Sequence, residues 1–165
     1  MINAMFTTDH WGGLGLAGQL PWPEPTGYAD YVRNLIQNDI VVLGAKSRHD
    51  SRVYSVFYKN TIYIATHEKA SHTHTISGDL RSELTDLEQK YSGKNIWVCG
   101  GADILSQCTG LFDRVYVTHL PGSYKTDVKI EVNKFLQGYV PVQAHSRTVH
   151  SCDIVYQNAF KRNLK

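Results

Sequence analysis

Residues 39–47 read DIVVLGAKS, an unbroken apolar run that ends on a glycine and then turns polar. A strand with one wet face alternates apolar and polar residues, whereas a strand covered on both faces reads as a continuous apolar run. Asp39–Gly44 is therefore read as a central strand of a parallel sheet. Gly44-Ala45-Lys46-Ser47 is its exit, where a glycine lets a phosphate approach the backbone, Ser47 can donate at a helix start and Lys46 adds charge. Two other segments have the same form: Asn60–Ala65 (NTIYIA) runs into Thr66-His67-Glu68-Lys69, and Asn95–Cys99 (NIWVC) runs into Gly100-Gly101. Met1–Thr7 is short and apolar, and Arg114–His119 (RVYVTH) alternates, so both predict strands.

Helical spacing fills the gaps. Tyr28, Tyr31, Val32 and Leu35 recur at intervals of three and four and predict a helix over Tyr28–Gln37; Leu80, Leu84 and Leu87 do the same over Leu80–Lys90. Short helices are expected over Ala45–Ser51 and Ala102–Cys108, and closing antiparallel strands over Gln143–Val149 and Ile154–Asn163. Alternating strands and helices followed by a β-rich end predict an α/β fold. It is read as a single domain over residues 1–165, with a mostly parallel central sheet and C-terminal antiparallel strands. Ligands of such sheets bind at the carboxyl ends of the strands. That rule places residues 7–20, 44–47, 66–69 and 100–103 on one rim.

The loop over residues 8–25 contains Gly13-Leu14-Gly15-Leu16-Ala17-Gly18, a literal G-x-G-x-x-G. The dinucleotide fingerprint requires a helix to open on its last glycine. Pro21, Pro23 and Pro25 follow instead, and proline cannot sit inside a helix. The match is therefore not a doubly wound fingerprint.

Composition narrows the classes. The 165 residues are 42% hydrophobic and 19% charged with a formal net charge of +2 and no basic block. Nothing in this balance suggests a nucleic-acid or membrane-surface partner. The N-terminus has no basic and apolar leader, and no apolar run is long enough to span a bilayer, so a cytoplasmic location is expected; the chain is also expected to be a monomer. Cys99, Cys108 and Cys152 are widely spaced and odd in number, which fits reduced, mostly buried thiols. Cys99 beside Gly100 has no recognisable base and is read as a packed core thiol rather than a nucleophile. His67, His72 and His74 lie in a polar stretch without accompanying cysteines or paired acids, so no metal site is assigned.

The turns have a recognisable order. Gly15 followed by Gln19-Leu20-Pro21-Trp22 resembles the mobile flap of the dihydrofolate reductase family, and Leu43-Gly44-Ala45-Lys46-Ser47 resembles its cofactor-phosphate turn. Lys59-Asn60 with the strand through Thr66 resembles the segment near the adenosine 2′-phosphate. Trp97-Val98-Cys99-Gly100-Gly101-Ala102-Asp103-Ile104 resembles the family's Gly-Gly strand and helix. Val115–His119 followed by Thr126-Asp127 resembles its C-terminal pieces. The resemblance runs over nearly the whole chain and fits a divergent member, of a kind carried by a phage or mobile element.

That resemblance implies NADPH-dependent reduction of dihydrofolate to tetrahydrofolate, with the small-molecule substrate as the partner. It implies a pterin site lined by Met5, Phe6, Leu20, Tyr28, Tyr31 and Cys99, with Trp22 and Thr118 among the catalytic groups and Thr118 bonded to a catalytic carboxylate. Along NADPH it implies Thr7, Leu14, Gly15, Gly18, Gly44, Ala45, Lys46, Ser47, Thr66, His67, Lys69, Gly100, Gly101, Ala102, Asp103 and Ile104. Lys46 with Lys69 is expected to neutralise the 2′-phosphate.

Three places depart from the family pattern. The family carries an acid five or six residues after the tryptophan, where this chain has Gly27 and Tyr28. Asp30, one helical turn beyond Gly27, is the expected displaced acid, with Glu24 as the alternative and a solvated helix position as the plain reading of Asp30. The arginine that grips the folate tail is replaced by Tyr58, which leaves Arg52 or Arg33 to substitute. The arginine of the phosphate turn is replaced by Ala45. Two alternatives follow: a nucleotide-binding or structural module that has lost folate reduction, and a reductase of a related pterin or pyrimidine.

Overall fold

A computed structural model describes residues 1–23, 27–47, 50–67, 74–148 and 156–163. The chain runs β1 (Ile2–Thr8), β2 (Gly13–Gly15), α1 (Tyr28–Leu35), β3 (Ile40–Gly44), α2 (Ser51–Phe57), β4 (Thr61–Ala65) and β5 (His74–Ile76). It continues through α3 (Leu80–Lys90), β6 (Ile96–Val98), α4 (Ala102–Gln107), β7 (Arg114–His119), β8 (Val128–Lys129), α5 (Val132–Phe135), β9 (Tyr139–Thr148) and β10 (Tyr156–Arg162). Eight strands form one sheet in the order β5-β4-β3-β6-β1-β7-β10-β9. The first six are parallel, and β10 runs antiparallel to both β7 and β9.

The continuous apolar strands are explained by cover on both faces. Along β3, Ile40 and Val42 join one core cluster while Val41 and Leu43 join the other. The same alternation sends Ile96 and Val98 one way and Trp97 the other in β6, and splits Val115 and Val117 from Tyr116 in β7. Leu80, Leu84 and Leu87 of α3 cover the first face with Ile104 and Leu105 of α4 and Phe135 of α5. Val32 of α1 and Phe57 of α2 cover the second, with Ile36 just beyond α1. At the amino ends of the strands, the Asp39 carboxylate accepts from Trp97 Nε1 at 2.9 Å and Asn95 N–H at 3.0 Å. Asn60 there donates to the carbonyls of Ile36 and Asp39. Asn60 thus ties α1 to β4 at the amino ends of the strands, opposite the ligand rim.

Four local expectations are corrected. Of the helix expected over residues 45–51, Ser47 is in a 3-10 turn and residues 48 and 49 lie outside the described residues, while the α-helix itself starts at Ser51. Asp50 caps it, accepting from Arg52 N–H, and the apolar positions Val53, Val56 and Phe57 all lie beyond that cap. The polar stretch containing His74 ends in β5, an edge strand of three residues, where one flank needs no apolar neighbour. β9 starts at Tyr139 rather than Gln143; its Pro141 is tolerated because β9 is the other edge. Within the long Gly/Pro loop, Gly13–Gly15 pairs with Val128–Lys129 as a two-stranded ribbon. The expected strand residues 149, 154 and 155 lie outside the described residues, as do Cys152 and His72.

Candidate active site

The carboxyl ends of β1, β6 and β7 open into a cavity of about 150 Å3 roofed by the loop after β1 and walled by α1 and α2. β1 contributes Met5, Phe6 and Thr7 and β7 contributes Thr118; Cys99, Gly100 and Gly101 follow β6. The loop supplies Leu14, Leu20 and Trp22, and Ser47 and Arg52 close the side next to β3. The Tyr28 hydroxyl lies 2.9 Å from Thr118 Oγ1 and 3.1 Å from Thr7 Oγ1, so three hydroxyls from α1, β1 and β7 meet on the floor. Burial raises the Tyr28 phenol above its ordinary range, and the bonds to Thr118 and Thr7 only partly offset this. The phenol is protonated at neutral pH. Burial also pushes the Cys99 thiol far up, so it is no nucleophile.

The roof is held by carboxylates and one arginine. Asp50 Oδ2 accepts from Leu20 N–H at 3.1 Å, while Arg52 Nη1 donates to the carbonyl of Trp22 at 2.6 Å. Asp9, 3% exposed, accepts from the N–H groups of Gly13, Trp11 and Tyr124. Its burial favours the neutral acid, but these three bonds and the charge of Lys129 outweigh it and leave the pKa lowered. Asp127 binds the same loop twice, through its own N–H to the Gly15 carbonyl and through Oδ2 to Ala17 N–H. Gly13 is required by close approach, since a Cβ there would lie 2.6 Å from Thr126 Cγ2 and 3.0 Å from Asp9 Oδ1.

A family model described as dihydrofolate reductase matches residues 1–155. The chain belongs to the dihydrofolate reductase family. A curated relative, dihydrofolate reductase type 9 of Escherichia coli, is 20% identical over 171 residues, covering 94% of this chain and 90% of the relative. The solved dihydrofolate reductase from Enterococcus faecalis, complexed with NADP(H) and RAB-propyl, is similar with a TM-score of 0.75 at 18% identity. That match covers 99% of this chain and 96% of the other, and shows a shared fold.

Set against the dihydrofolate reductase pattern, the acid position is the main departure. Tyr28 stands six residues after Trp22, and its hydroxyl makes the contact to Thr118 that the resemblance gives to a carboxylate. Asp30 is not at the cavity: its side chain is 80% exposed and pairs with Arg33 at 2.9 Å. The one-turn spacing from Gly27 misleads because Gly27 is left-handed at φ 80° and precedes the helix. Counted within α1, Asp30 is about 200° around the axis from Tyr28. Glu24 lies outside the described residues.

Other expected residues separate into those at the cavity and those away from it. Tyr31 is half-buried beside Tyr28, their rings stacked at 6.3 Å. Tyr58 is 63% exposed, with the Arg33 guanidinium 5.6 Å from its ring centre and Lys59 Nζ 5.5 Å from it. It does not line the cavity. Gly44 packs on the Gly100-Gly101 turn, donating its N–H to the Gly100 carbonyl at 2.7 Å. Lys46, His67 and Asp103 are exposed on the same rim, Ala45 and Ala102 are half-buried, and Thr66 and Ile104 are buried. Ile104 belongs to the core. Gly15 and Gly18 belong to the roof, and Lys69 lies outside the described residues. Val32 enters the sequence reading only as a helix-face position, and five further apolar lining residues have no place in it: Leu105, Leu120, Val53, Val56 and Phe57. The intervals of three and one between Val53, Val56 and Phe57 were their signal, hidden by ending the helix too early.

Proposed function

We propose that the protein reduces the ring of dihydrofolate with NADPH as the reductant. The observation that carries this reading is the cavity itself, where an apolar slot with a hydroxyl floor opens beside two glycine turns on the carboxyl rim of the sheet. The glycine turns fit a nucleotide cofactor. Among the described residues, none beyond the chain neighbours lies within 4 Å of where a Cβ on Gly100 would stand, and Ser47 Oγ, at 3.9 Å, is the near neighbour of such an atom on Gly101. Gly44, Ser47, Gly100 and Gly101 would hold the pyrophosphate side, and Lys46 would face a 2′-phosphate. When bound, the reduced nicotinamide supplies a hydride to the carbon of the ring's C=N bond, and the nitrogen takes up a proton.

The chain's own residues bind, orient and exclude water. Met5, Phe6, Leu20 and Phe57 give the ring apolar contact, and Tyr28 with Thr7 and Thr118 supplies directional hydrogen bonds to its polar edge. Trp22 is 2% exposed and stacks edge-on with Tyr124 at 5.8 Å, which keeps the roof shut over the slot. The test is NADPH oxidation that depends on dihydrofolate, with NADH as comparator. Turnover with a preference for NADPH is expected. No turnover between about pH 5 and 8 from folded protein removes the reading.

One observation favours a second reading, a reductase of a smaller pterin or pyrimidine. The two arginines considered for the folate tail are engaged elsewhere. Arg52 binds the Trp22 carbonyl, and Arg33 binds Asp30 and the carbonyl of Ser55. A substrate panel decides between them: turnover of a tail-less dihydropterin as efficient as that of dihydrofolate selects the second.

A further inference from the structure

We propose that Asp9, a buried carboxylate outside the cavity, is a positioning residue: through Tyr124 it sets the Trp22 ring over the slot. The inference rests on the reading of the cavity as a pterin site closed by its roof. Asp9 is 3% exposed and, like Tyr124, is not among the lining residues. It follows β1 directly, where the loop that forms the roof begins. Its two oxygens hold different segments. Oδ1 accepts from Trp11 N–H at 2.9 Å and Gly13 N–H at 2.8 Å, both in the roof. Oδ2 accepts from Tyr124 N–H at 3.0 Å, in the segment after β7. One rigid group therefore joins the two segments at a set distance.

The segment after β7 is tied to the chain around Asp9 at every second position. Leu120 N–H donates to the Thr8 carbonyl at 2.9 Å, the Gly122 carbonyl accepts from His10 N–H at 3.0 Å, and Tyr124 N–H reaches Asp9. Backbone alone carries the first two ties, whereas the third needs a side chain. That third tie sets the Tyr124 ring, which meets the Trp22 ring at 5.8 Å with the planes at 68°. Trp22 is 2% exposed, lines the cavity and packs with Leu120. Its carbonyl is held from α2 by Arg52 Nη1, and the nearby Leu20 N–H by Asp50. The ring of Trp22 is thus located by Tyr124 and its backbone by α2. An ionised carboxylate only accepts, which suits three N–H donors converging on it. An amide cannot serve all three. With its oxygen kept on Trp11 and Gly13, its NH2 faces the Tyr124 N–H, donor against donor. Asp9→Asn therefore cuts the tie to Tyr124 and spares the turn at Gly13.

The experiment uses the full chain and has two arms. The first needs no ligand: amide exchange of Leu20, on the α2 side of the roof, reports roof opening. Asp9→Asn and Tyr124→Leu should each speed it about 2- to 10-fold while the amides of β3 keep their rates. The double variant should speed it no more than Tyr124→Leu alone. Tyr124→Phe, which keeps the ring, should exchange like wild type. The second arm is fluorescence titration with 6,7-dimethylpterin. Its dissociation constant should rise about 2- to 10-fold in each of Asp9→Asn and Tyr124→Leu, and no further in the double variant. An unchanged Leu20 amide in Asp9→Asn overturns the proposal. So do losses that add in the double variant, since a residue that only supports the fold acts independently of the Tyr124 ring. Should Asp9→Asn fail to fold, the wild-type protein decides. By linkage, the pterin bound under the roof should slow exchange of the Tyr124 amide outside the cavity, and no slowing overturns the role of Asp9. If the pterin does not bind wild type while the Leu20 amide responds as expected, the pterin reading falls and the role of Asp9 stands.

Discussion

At the scale of single residues, the loop over the cavity is built from backbone positions that only particular side chains permit. Gly12 has φ 79°, and a Cβ on it would collide with the carbonyl oxygen of Ile130. Gly93 has φ 87°, but no described residue beyond its chain neighbours lies within 4 Å of a Cβ placed on it. Gly93→Ala should therefore cost about 1 kcal/mol, the price of a left-handed alanine alone. Gly12→Ala should cost clearly more, because the added carbon also displaces a backbone; urea midpoints measured side by side check the difference. Asp50 does two jobs, capping α2 through Arg52 N–H and anchoring Leu20 N–H. Asp50→Ala should lower stability by about 1 to 2 kcal/mol. It should also raise the dissociation constant of any ligand under the roof, which a binding titration separates from the loss in stability.

At the scale of elements, the antiparallel end of the sheet depends on one arginine. Arg162, at the end of β10, donates to the carbonyls of Leu111 at 2.6 Å and Phe112 at 3.0 Å and faces Asp113 at 3.6 Å. These bonds satisfy carbonyls in the turn between α4 and β7 and fix β10 against its antiparallel neighbour β7. Arg162→Met should destabilise by about 1 to 3 kcal/mol, since the carbonyls lose a charged donor while the apolar stem is kept. Faster amide exchange in β10 than in β3 of that variant would show the effect is local. The surface ion pair of Arg33 with Asp30 is a contrast. One partner is 80% exposed, so Asp30→Ala should leave stability nearly unchanged.

For the whole molecule, half-buried His119 and buried Asp9 shape the acid limit of stability. Burial lowers the pKa of His119 from 6.5. The unfolded chain then binds a proton that the folded chain refuses. This stability is full above about pH 6.5 and declines as the pH falls toward the folded pKa. Asp9 is also lowered, from 3.8, so its contribution is present above that value and is lost as pH falls through the folded pKa. Stability should therefore fall in two separate steps on acidification. His119→Gln should abolish the first and leave the second, as read from denaturant midpoints at a series of pH values.

Much of the architecture was legible because it is written in short range. The unbroken run of Asp39–Gly44 marked a strand covered on both faces, and the glycines ending the runs at Gly44 and Gly100 marked the ligand rim. The three- and four-residue spacing of Tyr28, Tyr31, Val32 and Leu35 marked α1. Prolines after Gly18 excluded the doubly wound fingerprint, since a helix cannot open on that sequence. Other features depended on partners far along the chain. β5 is a strand only because β4 lies beside it, and Gly13–Gly15 is a strand only because Val128–Lys129 pairs with it. Asp30 carried the right chemistry at a plausible distance along the sequence, yet the left-handed Gly27 starts the helix with Tyr28 inward and Asp30 outward. Residue order determines periodicity, turns and burial. Which hydroxyl reaches Thr118 from 90 residues away was decided by the sheet that brings β1 and β7 under α1, because a hydrogen bond depends on positions in space and not on spacing along the chain.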